Sequence, residues 1–549
     1  MFSRKTLSVP HPPGYPVGTM IRARQNLAPA RRAAALAALL ALALPAAPLR
    51  AQSVTIAGAS PVASADPHIS NTASNSALGL HVFDRLVLQD AAGNLRPGLA
   101  TQWRAVSDRV WEFRLRPGVK WHDGRDFTAD DVVFTFDRLP NAQGGFVSAV
   151  RPIARVEVPD PLTLRVETKQ PWPLLPSDLA NIAIIARHAA QDAKPEDFNS
   201  GKAAIGTGPY RYASFTAGER AELVRNEDYW GGREPWAQVH YRFIANDGSR
   251  VAALLAGDVD LIDQVPSNDL PRLSRDPRLS VTTVQGTRLI YLQTDFSREG
   301  DVPGVSGIDG QPLGRNPFLD RRVRQALNIA IDREALATRI MENTATPTGQ
   351  WLPPGTWSYA PEVPVPTHDP AAARRLLAEA GFPKGLRVTL ATPNDRYPND
   401  AKVAQAVAQM WSRIGVATTI EALPWSVYLA RGTRVDLPVR LGGWGSSSNE
   451  ASSLLRNVVA TFSREAGRGQ PNFSRYSNPA LDGLIDQALV TLDDGRREAL
   501  LRQATKLATE DVGLMPLFLL NNSWASRKGL RYEPRRDEYT LAQGLRPTP

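Results

Sequence analysis

The sequence predicts an α/β protein divided into two or three lobes, and three observations predict it. From residue 386 to 420 the chain reads strand, helix, strand. Leu386 to Leu390 and Val416 to Ile420 are short apolar runs, and between them Val403, Val407, Met410 and Ile414 share one helical face. Elsewhere apolar residues alternate with period two, at Trp111, Phe113 and Leu115 and again at Leu162, Leu164 and Val166, the pattern of half-buried strands. About 500 residues remain once an N-terminal leader is set aside, too many for one ordinary core.

The leader is residues 1–51. It carries Arg4, Lys5, Arg22, Arg24, Arg31, Arg32 and Arg50 and no acid, followed by an apolar run from Ala33 to Leu44 that Pro45 breaks. This is the build of a cleaved secretory signal, shorter than the ~20 residues of a membrane span. Cleavage is expected near Ala51-Gln52, and Met20 is an alternative start. Of the formal net charge of +9, seven charges lie before residue 52, which leaves +2 for the mature chain. The basicity belongs to the leader, so a nucleic-acid partner is not expected. There is no cysteine, hence no disulfide, thiolate nucleophile or lipid-anchor cysteine. The mature chain is expected free in the periplasm and mostly monomeric.

In chain order, Val54 to Ile56 form a strand that runs into a turn at Asp66-Pro67-His68. The strand from Trp111 to Leu115 turns Glu112 and Arg114 to the opposite face and ends at Pro117-Gly118. Thr128 caps a helix, with Asp131 three residues on as a short-armed capping box. The glycine-rich run Gly206-Thr207-Gly208-Pro209-Tyr210 lacks the Gly-Lys-Ser/Thr ending of a phosphate loop, and Pro209 has no N–H to give an anion. It reads as a turn feeding a strand. Ser249 is expected to cap the helix holding Val251, Leu254 and Leu255. Within Phe318 to Ile340, Val323, Leu327, Ala330 and Ile331 form a stripe at helical spacing, which reads as core packing. Asp369 caps the next helix, with Pro370 at its first position and Gly381 at its end. Two further helices, Pro479 to Leu489 and Arg496 to Thr509, precede an apolar strand from Met515 to Leu520.

Several of these stretches carry a resemblance. DRLVLQDAAGNLRPGLATQW and WEFRLRPGVKWHDGRDFTADDVVFTFDRL, in the region from His81 to Leu139, resemble the signature of family 5 of the extracellular solute-binding proteins, the oligopeptide-, dipeptide- and nickel-binding type that serves ABC transporters. The Gly206–Tyr210 run, Asp228-Tyr229-Trp230-Gly231-Gly232 and FLDRRVRQALNIAIDREALATRI are similar to later signatures of the same family. The resemblance implies a periplasmic-binding-protein-like fold of type II: two large lobes around a ligand cleft, plus an extra small lobe, joined by a hinge. It divides the chain into lobe one (52–88, 172–282 and 513–549), small lobe two (89–171) and lobe three (283–512). It implies capture of a peptide or peptide-like small solute and delivery to the membrane permease of an ABC importer, with no catalytic residue, cofactor or metal.

The resemblance also places ligand contacts in the Gly-Trp loop, here Leu441 to Ala451. Trp444 matches, with core packing as its alternative. Peptide-binding members carry an aspartate shortly after the tryptophan to pair with the ligand's amino terminus. This chain has Ser446, Ser447, Asn449 and Glu450 there. Either Glu450 takes over that contact, or the ligand has no free amino terminus. His68 is implied near the cleft. Tyr291, Trp425 and Tyr428 line lobe three or pack within it, and Arg288 is a candidate for an anionic end of a ligand, with a solvated surface arginine as its alternative. Two rival readings stay open. One is a periplasmic peptide-binding chaperone. The other is an exported hydrolase built on the histidines, although no Gly-x-Ser-x-Gly elbow or His-Glu-x-x-His helix is present.

Overall fold

The computed structural model describes residues 53–142, 146–446 and 448–548. Its backbone is a mixed sheet of twelve strands. At its centre lie two long antiparallel strands, Leu279–Thr294 and Met515–Arg527, which pair from Leu279↔Arg527 to Leu292↔Met515. On one side the sheet continues through Leu261–Asp263, Ser53–Gly58, Gln238–Phe243, Arg220–Arg225 and Tyr210–Thr216. On the other it continues through Val439–Gly445 and Leu386–Pro393 to Val305–Gly307, with Val416–Leu423 also on Leu386–Pro393. The two central strands thus join two arms of one sheet. Their register breaks between Gln285 and Leu289, where Gly286, Thr287 and Arg288 stand opposite Leu520 alone. Such a bulge bends a strand. A Cβ on Gly286 would stand 2.8 Å from the Leu520 carbonyl oxygen, so the bend requires glycine.

The arms contain the expected α/β units. Leu386–Pro393 and Val416–Leu423 run parallel with helix Asp400–Ser412 between them, and Val403, Val407 and Ile414 are buried as the spacing predicts. Fully buried aliphatic side chains of this kind stabilise by about 1.5–3 kcal/mol each. A separate four-stranded antiparallel sheet, ordered Ala100–Ser107, Val110–Leu115, Thr163–Thr168, Ile153–Asp160, lies between the strand after residue 94 and residue 171. Phe113, Leu115, Leu164 and Val166 face helix Ala129–Arg138 and its Val132 and Phe136 in one core.

Four local expectations are corrected. Glu112, expected on the open face, is only 4% exposed, because Arg104, Arg114 and Arg165 cover it. Hydrogen bonds from Arg104 and Arg165, with the Arg114 charge beside them, hold its carboxyl below the usual range. The helix holding Val251 is capped by Asn246, whose Oδ1 accepts from Ser249 N at 2.9 Å. Asn is a strong cap, and Ser249 serves as the donor. The helix that carries the Val323 stripe ends at Ile329, before Ile331, the last residue of that stripe. The buried guanidinium of Arg333 takes the Asn328 carbonyl at 3.1 Å, and the Asp332 N–H turns to Met410 Sδ instead. Finally, Leu441 to Gly445 is strand rather than loop, paired Tyr291↔Gly442 and Leu289↔Trp444. Gly442 and Gly443 hid this, since they carry no alternating side chains. Their bareness has a reason: a Cβ there would lie 2.9 Å from the Tyr291 ring and 2.7 Å from the Tyr397 ring.

Candidate functional site

Parallel strands end together, and the crevice outside their carboxyl ends is where open α/β sheets bind ligands. Here the ends of Ser53–Gly58, Gln238–Phe243 and Leu261–Asp263 on one arm, and of Leu386–Pro393 on the other, open on one cleft of about 800 Å³. The first arm supplies Ser60, Asp247, Gln264 and Asn268, and the second supplies Asp395 to Asn399. The central strands supply Arg288 and Leu520 to Trp524 as the floor. A smaller cavity of about 140 Å³ adjoins it and shares Asn71, Ala73, Arg288, Asn522 and Glu538. A third hollow, of about 450 Å³, lies against Glu222 and His240 and holds none of the residues nominated from sequence.

The nominated residues fall into two groups. Arg288, Ser446 and Asn449 line the cavities. Arg288 is ion-paired with Glu538. Asn449, in a left-handed conformation with φ of 53°, donates from Nδ2 to the Ala92 carbonyl at 3.1 Å. Ser446 Oγ donates to the Glu450 carbonyl at 3.4 Å. The other group packs inside or at the margin. Trp444 is half-buried and donates from Nε1 to Ser453 Oγ at 3.1 Å. Tyr291 is buried against Gly442, and burial raises its phenol well above the ordinary value. Tyr428 is buried, donates to the Leu441 carbonyl, and accepts from Arg440 Nε at 3.0 Å. Trp425 stacks on Tyr428 at 5.6 Å, under the Arg396 guanidinium. Glu450 is buried beneath the Gly-Trp segment, held by Arg497 and Ser452 Oγ. Ser447 lies outside the described residues, as do residues 1–51, where a leader is expected from the sequence.

His68 sits in the interior. Its Nε2 bonds the Ala183 carbonyl at 2.9 Å and its Nδ1 faces Arg138 Nη1 at 2.8 Å, while Arg138 also grips Asp66. Burial lowers the His68 pKa to about 4, with Arg138 adding to the effect. His81 and His122 are likewise pulled to about 4 by burial and bond backbone groups. These three rings brace the chain. Among the described residues no group of three or more His, Cys, Asp or Glu side chains is placed to hold a metal ion.

Sequence reasoning missed Glu538, Asn522 and the Asp395–Asn399 turn. The turn was findable, since it follows a parallel strand and precedes a helix. Glu538 gave no signal: it lies in the charged run Arg535-Arg536-Asp537-Glu538, which reads as surface.

A cleft between two sheet arms, floored by the strands that join them, defines the class: a periplasmic-binding-protein-like fold that closes on a solute. The model of the family "Bacterial extracellular solute-binding proteins, family 5 Middle" matches residues 94–464, and the chain belongs to that family. It is 28% identical to heme-binding protein A of Haemophilus influenzae over 475 residues, covering 81% of this chain and 82% of that one. It is also 28% identical to the periplasmic murein peptide-binding protein MppA of Escherichia coli, covering 82% and 85%. Among solved structures it resembles the unliganded open form of MppA, with a TM-score of 0.75, 25% identity and coverage of 91% and 98%. It shares its fold with HbpA2 from Haemophilus parasuis, with a TM-score of 0.78, 23% identity and coverage of 90% and 100%. The family and these relatives are binding proteins.

Proposed function

We propose that the protein is the periplasmic substrate-binding component of an ABC importer. It captures a peptide or peptide-like small solute between lobe one and lobe three, as bounded from the sequence, and presents the closed form to the membrane permease. Residues 1–51 export it and are removed. Arg288, Ser446 and Asn449 contact the solute, while Trp444, Tyr291, Trp425 and Tyr428 hold the wall behind them. His68 and Glu450 keep the surrounding backbone in place.

One observation carries this reading: both arms put their strand ends on one polar cleft, and two bulged strands join them. The lining, rich in Asn, Gln, Asp and Arg, suits a solute with many hydrogen-bonding groups. Relatives named for di- and tripeptides and for murein peptides support that class, and the heme-binding relative marks how far solutes diverge within it. Native mass spectrometry of protein taken from its own periplasm tests the reading. One discrete small solute, bound one to one and released intact by denaturation, is expected. A ladder of long unfolded segments would favour a chaperone, and a chemically altered product would favour a hydrolase.

A further inference from the structure

We infer that Arg288 and Glu538 form a head-group subsite in the cleft that takes a compact zwitterion, an ammonium and a carboxylate on one carbon as in an α-amino acid. The inference deepens the solute-capture reading and rests on it.

The two residues face each other where the larger and smaller cavities meet, and both line both cavities. The other acids on these walls are engaged. Asp263 accepts from Ala59 N at 2.7 Å and Thr540 Oγ1 at 3.0 Å. Asp537 is held by Arg535 and by Tyr539 N. Asp247 pairs with Arg250, and Asp395 accepts from Trp425 N at 2.8 Å. Glu450, the acid that sequence reasoning put forward for an ammonium, is closed off by Arg497. For Glu538 the carboxylate's partner is Arg288, which itself faces the cavities.

The backbone presents Glu538 with some force. Its φ is 63°, in the left-handed region that non-glycine residues rarely adopt. Strain of this sort persists where surrounding structure fixes it, and it concentrates at ligand clamps. The fixing groups are visible: Asn522 Nδ2 donates to the Arg535 and Arg536 carbonyls at 3.0 and 3.1 Å, and Arg535 Nη2 donates to the Gln89 carbonyl at 3.1 Å. Arg288 lies within the register break of the central strand and is held by its pairing with Gly445 on the neighbouring strand.

Charge accounting then selects the ligand. A solute with one charge would engage one partner and strand the other in a partly desolvated wall, which is costly. A zwitterion exchanges one ion pair for two, its ammonium on Glu538 and its carboxylate on Arg288, and buries no net charge. Because the two side chains touch, a small parting admits charges on a single carbon, whereas charges several bonds apart demand a wide one.

The test uses two isomers of equal mass and net charge, Nε-acetyl-L-lysine and Nα-acetyl-L-lysine, titrated calorimetrically into the dialysed full-length mature protein. The first carries the compact head, and the second holds its charges apart. The first should bind roughly 10- to 100-fold tighter, the worth of one charged hydrogen bond. Glu538→Gln and Arg288→Gln should each abolish that preference. Glu538→Asp, which keeps the charge, should restore part of it and so separates ligand contact from a folding defect. Equal binding of the isomers, binding of neither, or a preference that survives both Gln variants would overturn the inference. A native solute that lacks such a head would also overturn it while leaving solute capture intact.

Discussion

Glu450 and Arg497 meet in the interior, their side chains 6% and 5% exposed, with the Arg497 guanidinium stacked 4.8 Å above the Trp357 ring. Removing one member leaves the other charge buried and alone, at a cost of about 3–5 kcal/mol. Glu450→Ala should therefore lower the urea midpoint sharply, and affinity for the native solute should fall by less than the loss of stability. The double change Glu450→Leu with Arg497→Met should recover most of the loss. A large affinity loss without a stability loss would return Glu450 to the ligand.

Asp84 gives a pH dependence with a definite sign. It is buried and receives hydrogen bonds from Trp230 Nε1 at 2.7 Å, Thr207 Oγ1 at 2.9 Å and Tyr229 Oη at 3.3 Å. Burial outweighs these bonds and raises its pKa from 3.8 to about 6. The folded state thus holds the proton more tightly than the unfolded one. Its contribution is fully present below pH ~4 and is lost as pH rises through about 6. Relative to Asp84→Asn, the native protein should lose about 2–3 kcal/mol between pH 4 and 7. Denaturant titrations of both proteins across that range check it, and parallel curves would contradict it.

Gly442 keeps the Tyr291 ring flat against the neighbouring strand. Gly442→Ala should cost about 1–3 kcal/mol by overpacking, as read from the melting temperature. Combining it with Tyr291→Leu should recover part of that cost, because the ring is what the new methyl meets.

These cases also show what could be read in advance. The stripe Val403, Val407, Ile414 and the cap Asp369 were legible, because helix periodicity and capping act over a few residues. The pairing of Leu279–Thr294 with Met515–Arg527 joins segments more than two hundred residues apart, and no local pattern encodes it. The fate of Glu450 depended on Arg497, 47 residues on. Charge type named Arg288 as a candidate but equally fitted a surface arginine, and only the fold puts it on the cavities with Glu538 opposite.

The central strands lose register at Gly286, and a bulge of this kind bends a strand. Gly286→Val would drive side-chain atoms toward the Leu520 carbonyl and Asn522, both within 3.0 Å of the first added carbon. It should stiffen or shift the joint, weakening affinity for the native solute by more than it lowers the melting temperature. An affinity change that merely tracks stability would place the bend elsewhere.

The central claim is that the two arms close on a solute, and it can be measured directly because the sequence holds no cysteine. Thr216→Cys and Lys402→Cys place one label on an exposed site of each arm. Pulsed electron resonance then reads the distance between them in the dialysed protein and again after the solute released from native protein is restored. The account predicts a broad distribution that shortens and narrows when the solute is added. A distribution that does not change with a bound solute would contradict it.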